Sequence, residues 1–66
     1  MTSYTIDVTK DGEFLFRTAE QPGSSADPAV EKVVLELSSR FTKADGYSVI
    51  FIEWPDQKGV MSDVTQ

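Results

Sequence analysis

The chain has 66 residues, no histidine and no cysteine, and eleven acidic against six basic side chains, for a formal net charge of -5. Imidazole and thiol, on which acid/base, nucleophilic and metal chemistry most often rest, are therefore missing, and no disulfide can staple the fold. The same balance disfavours contact with phosphate backbones, which are bound by Lys and Arg displacing counterions.

A chain this short is expected to form one domain, spanning 1–66, that buries only about 60% of the surface its unfolded form exposes. Every large apolar residue then matters, and a dimer is one way to enlarge the core. No segment reaches the roughly 20 consecutive apolar residues of a bilayer span, and Met1-Thr2-Ser3 opens a strand pattern rather than a basic, apolar leader. A soluble cytoplasmic protein is expected; the absence of cysteine fits a reducing compartment.

Tyr4, Ile6 and Val8 alternate with Thr5, Asp7 and Thr9, the period-two pattern of a strand with one buried face. Lys10-Asp11-Gly12 reads as a turn, and Phe14, Phe16 and Thr18 alternate with Leu15, Arg17 and Ala19, giving a hairpin over 3–19. A two-residue Asp11-Gly12 loop would pair Thr9 with Phe14 and place both phenylalanines on the polar face. A three-residue loop with Gly12 left-handed pairs Val8 with Phe14 and Ile6 with Phe16, keeps both in the core, and is the predicted register.

Residues 20–27 lack periodicity and contain Gln21-Pro22-Gly23-Ser24-Ser25, so they read as a loop. Asp27 as N-cap and Pro28 at the first helical position open a helix over 28–44. Val30, Val33, Val34, Leu37 and Phe41 form its apolar stripe, and Gly46 supplies the stop. Tyr47–Trp54, apolar at nearly every position, reads as a strand over 47–54. One helix covers only one face of it, so either Val49 and Phe51 or Ile50, Ile52 and Trp54 are expected on the outer side with Leu15. Residues 55–66 form a turn and tail, in which Val60, Met61 and Val64 suit a short fourth strand.

These elements predict an α+β domain, β-β-α-β(-β), with one helix on a three- or four-stranded antiparallel sheet. Strand order 2-1-3, with the first strand central, follows from short right-handed connections, and order 1-2-3 is the alternative.

No catalytic constellation emerges. Carboxylates are numerous, yet none sits in a pattern that raises one pKa while leaving its partner ionised, Ser24-Ser25 lacks a base, and Asp56-Gln57-Lys58-Gly59 is too short for a calcium loop. An enzyme, a bound metal and a cofactor are not expected. Asp7, Asp11 and Glu13 on the hairpin, with Glu53 and Asp56 near the opposite sheet rim, are the candidate charges for a basic protein surface. Leu15 and Trp54 are the candidate apolar anchors. Two plainer readings stand beside this one: Asp11-Gly12 is favoured in hairpins for backbone reasons, and acidity keeps a small protein soluble.

Tyr4-Thr5-Ile6-Asp7-Val8, the Lys10-Asp11-Gly12 turn, the Gly-Ser loop, Asp27-Pro28-Ala29 and the strand Tyr47–Ile52 give the chain an architecture that resembles some phage anti-CRISPR inhibitors of type I interference complexes. The resemblance covers roughly residues 4–52. It implies a non-enzymatic inhibitor acting in a bacterial host cell, docking on a basic nucleic-acid-binding surface of a defence complex with partial DNA mimicry. A further similarity, through Glu36-Leu37-Ser38-Ser39-Arg40, runs to the damage-inducible modulators of recombinase filaments, whose acidic C-terminal helix has no counterpart here. The alternatives are a homodimeric assembly domain using its outer sheet face and an acidic regulatory partner of a basic protein.

Overall fold

The computed structural model describes residues 2–66; Met1 of the expected domain lies outside the described residues. In chain order the elements are β1 (Ser3–Lys10), β2 (Glu13–Arg17), β3 (Gln21–Pro22), α1 (Pro28–Arg40), a 3-10 turn at Lys43–Asp45, β4 (Tyr47–Trp54) and β5 (Val60–Asp63). They build the α+β domain that the sequence pattern implies, with one helix against a five-stranded antiparallel sheet of order β2-β1-β4-β5 and β3 also pairing with β1.

Register fixes which face meets the helix. Ile6 lies opposite Phe51 and Val8 opposite Val49, so Tyr4, Ile6, Val8, Val49 and Phe51 share one side. Val30 of α1 completes the buried cluster, and Val34, Leu37, Phe41, Tyr47 and Val64 pack around it. Burial of such side chains stabilises the domain by about 1.5–3 kcal/mol apiece. Ile50, Ile52 and Trp54 therefore take the outer face, which settles the parity left open by the uniformly apolar strand.

The helix starts where its cap chemistry dictates, with Asp27 Oδ1 accepting a hydrogen bond from the Ala29 N–H at 2.9 Å and Pro28 following. It stops at Arg40 rather than at residue 44. Ser38 and Ser39 donate their hydroxyls to the Leu35 and Glu36 carbonyls, and Thr42 is extended, so the last turn gives way to the 3-10 turn. Gly46 is left-handed as its sequence position suggests, but it closes that turn instead of α1.

The hairpin departs from the predicted register. Lys10 pairs with Glu13 and Thr9 with Phe14 around a two-residue turn in which both Asp11 (φ 51°) and Gly12 (φ 82°) are left-handed. Asp-Gly fills that turn because its twist matches the strands it joins. One ladder position later the register slips: Val8 pairs with Phe16, leaving Leu15 as the extra residue of a β-bulge. The bulge returns Phe16 to the helix side, where its ring meets Phe41 edge-on at 5.7 Å. Phe14 stays on the outer side with Thr9, so Val8 opposite Phe14 and Ile6 opposite Phe16 do not occur.

Two strands complete the sheet. β3 lies inside the expected loop 20–27. Gly23 donates its N–H to the Thr2 carbonyl, so by alternation the nitrogen of Pro22 faces away from β1, a setting in which an edge strand accepts proline. β5 is the fourth strand that Val60 and Met61 suggested, pairing Ile50 with Asp63 through Glu53 with Val60. Among the described residues, no helix is long and apolar enough to cross a membrane.

Candidate functional site

The candidate residues separate into two groups at opposite ends of β1, a strand of eight residues whose ends lie about 23 Å apart at the usual rise per residue. Asp11, Glu13 and Leu15 occupy the hairpin end, and Glu53, Trp54 and Asp56 the other, with Asp7 between them on the outer face. The opposite rim expected for Glu53 and Asp56 is where they lie.

At the far end the polar groups are occupied by the fold itself. Glu53 lies on the helix side, where its Oε1 accepts the Ser25 N–H at 2.7 Å and ties the loop before α1 to the sheet. Asp56 Oδ1 accepts the Lys58 N–H at 2.7 Å and shapes the β4–β5 turn. The indole of Trp54 donates to Thr5 Oγ1 at 3.0 Å. Gly59 approaches so closely that a Cβ there would lie 2.8 Å from Ile52 Cγ2 and 2.9 Å from the Trp54 ring. Ile52 is consequently 1% exposed although it faces away from the helix. The expected apolar patch on the outer face is thus largely closed by Trp54 and the turn above it, and Trp54 is half-buried structure rather than an open anchor.

Asp7 is likewise engaged. Arg17 Nε and Nη2 donate to its two carboxylate oxygens at 2.6 and 3.0 Å, a forked pair across β1 and β2. The hydrogen bond to Asp7 and its charge hold the Arg17 pKa above its ordinary value. A shallow cleft of about 400 Å³ beside this pair is lined by Thr5, Arg17, Thr18, Glu20, Trp54 and Asp56. Its charges are of both signs. On β5, Asp63 is held below the usual carboxylate range, chiefly by the Thr65 hydroxyl and then by the Thr65 N–H.

The hairpin end is different in kind. Among the described residues, the carboxylates of Asp11 and Glu13 take part in no hydrogen bond or ion pair, although the Asp11 N–H donates to the Gly46 carbonyl at 2.9 Å and fixes the turn against the start of β4. Every residue of β2 is exposed. Phe14 is 57% exposed, Leu15 47% and Phe16 37%, three consecutive large apolar side chains on a sheet edge next to two unengaged acids. Asp11, Glu13 and Leu15 are therefore brought together. Phe14 joins them unforeseen, and its signal was the Thr9–Phe14 pairing of a two-residue Asp-Gly loop.

Chemically this edge offers contact area and negative charge. Among the described residues no three carboxylates converge as a metal site would require. No family model, curated protein or solved structure matches the chain.

Proposed function

We propose that the protein is a non-enzymatic docking module whose β1–β2 hairpin binds a basic surface on a protein partner. The observation that carries this reading is the exposed run Phe14-Leu15-Phe16 beside Asp11 and Glu13. Apolar groups of this size are normally withdrawn from water in a small soluble domain, and an exposed set along a sheet edge beside free charge is the composition of an interface. Phe14 and Leu15 serve as anchors, while Asp11 and Glu13 steer the approach and fix register on the partner.

A net charge of -5 is modest for a full imitation of DNA, and docking with partial charge mimicry fits it better. The architectural resemblance makes a nucleic-acid-binding surface of a bacterial type I interference complex the partner to test. Binding of purified protein to such a complex should weaken as salt rises and should be lost in an Asp11→Asn, Glu13→Lys variant that keeps its far-ultraviolet spectrum. Asparagine tolerates the left-handed backbone at position 11, so the variant removes charge without breaking the turn. Undiminished binding by that variant discards the hairpin.

A further inference from the structure

The opposite edge of the sheet carries a second surface of a different chemistry. Val64 donates its N–H to the Val49 carbonyl at 3.0 Å, which makes Val49 and Val64 a hydrogen-bonded pair. Antiparallel alternation then turns the backbone groups of Val60 and Ser62 toward β4 and those of Met61 and Asp63 away from the sheet. Among the described residues no strand lies beyond β5.

Edges left in this state are usually guarded by shortness, a bulge, a charge (lysine above all) or a proline, and β5 has its four residues and the acid Asp63 for this. β2 has its bulge at Leu15 and β3 has Pro22, whereas Val60-Met61-Ser62-Asp63 pairs with β4 in an unbroken register and contains neither proline nor lysine. Beside it, α1 and β5 leave an open groove of about 210 Å³ floored by Val30, Val34, Phe51 and Val64, with Glu31 and Ser62 at its rim. Among the described residues, no basic side chain lines the groove. Glu31 borders it on the helix side, and Asp63, held ionised by Thr65, stands on the strand itself on the outer side.

We infer that β5 and this groove accept an extended basic segment of a protein partner as an added strand. Main-chain hydrogen bonds to Met61 and Asp63 supply the register, as in other strand additions. An apolar side chain of the segment enters the groove between Val34 and Val64 beside Glu31, and the lysine or arginine side chains before and after it fall on the opposite face, where they meet Asp63. A second copy of this chain fits the edge less well, because β5-to-β5 pairing joins two chains of net charge -5 and brings two Asp63 carboxylates onto one sheet. The surface is separate from the hairpin, so its failure leaves the docking reading above intact.

The test uses the full chain with capped peptides Lys-Val-Lys-Val-Lys, its backbone N-methylated form and Glu-Val-Glu-Val-Glu, followed by amide NMR and hydrogen exchange. The first peptide should shift the amide resonances of Met61, Asp63 and Glu31, and at a free concentration about ten times its Kd should slow Met61 and Asp63 exchange roughly tenfold. The N-methylated and acidic peptides should do neither. Met61→Pro should abolish the effect, since the nitrogen it blocks is outside the internal ladder. Equal binding of the N-methylated peptide, shifts confined to residues 11–15, no shifts at all, or a concentration-dependent dimer that Met61→Pro dissociates would each overturn the inference. The N-methylated peptide decides the matter on the native chain if Met61→Pro does not fold.

Discussion

Phe14 and Phe51 are the same side chain on two strands of one sheet, 57% and 4% exposed respectively. β4 is central: β1 and β5 flank it, α1 and the core cover one face, and Trp54 with Gly59 closes much of the other. β2 is an edge, and its Phe16 reaches Phe41. Hydrophobicity alone does not assign a residue to the core; a neighbour on each side does. The carboxylates divide in the same way, since Asp7, Glu53 and Asp56 are bound into the fold while, among the described residues, those of Asp11 and Glu13 have no hydrogen-bond or ion-pair partner.

The contrast is sharpest in a pair of truncations. Phe51→Ala should cost about 3–5 kcal/mol, a large part of the stability of so small a domain, and lower the melting temperature by well over 10 °C. Gly59→Ala tests the outer closure: the added methyl meets Ile52 and Trp54, so a loss of about 1–3 kcal/mol and an altered tryptophan emission are expected. An unchanged melting curve for that variant would mean that the β4–β5 turn does not seal the outer face. Gly12→Ala has open space around it and only the left-handed backbone to oppose it, so about 1 kcal/mol is expected in urea unfolding.

Acid titration probes the β5 edge more gently. Asp63 has its folded pKa below the unfolded value of about 3.9. Its contribution is thus complete above pH of about 4 and is lost as pH falls through the depressed folded value. Asp63→Asn and Thr65→Val should each flatten that part of the acid limb, and an unaltered limb in both would remove the Thr65 contacts as its source. Smallest of all is Phe14→Ala, expected within about 0.5 kcal/mol of the parent by urea unfolding. A loss comparable to that of Phe51→Ala would place Phe14 in the core and end the comparison.

The sequence pattern announced most of the scaffold. Period-two alternation marked β1, Asp27-Pro28 marked the start of α1, and the apolar run between Gly46 and Pro55 marked β4 to the residue. Central placement of β1 followed from connection rules. What escaped was decided by relations between segments. Pro22-Gly23 carries turn chemistry, and only the position of β1 makes it a strand. The parity of β4 was undetermined because both faces are apolar, and Trp54 could be read as an anchor because nothing local shows Thr5 accepting its N–H. The hairpin was misjudged by assuming that two phenylalanines two residues apart must share a face. Of the candidate site, Asp11, Glu13 and Leu15 were legible and Phe14 was not.

That last point reaches further than one hairpin. Because Leu15 is the uncompensated position in the ladder, its removal would leave Thr9 opposite Phe14, Val8 opposite Phe16 and Asp7 opposite Arg17, now as consecutive pairs of a regular ladder, with every side chain on the face it already holds. Substitution at Leu15 changes a side chain, whereas deletion removes the bulge and the local bend it makes while its neighbours keep their partners. In this edge it is the bulge, absorbing one residue, that keeps Phe16 against Phe41 while Phe14 is turned outward.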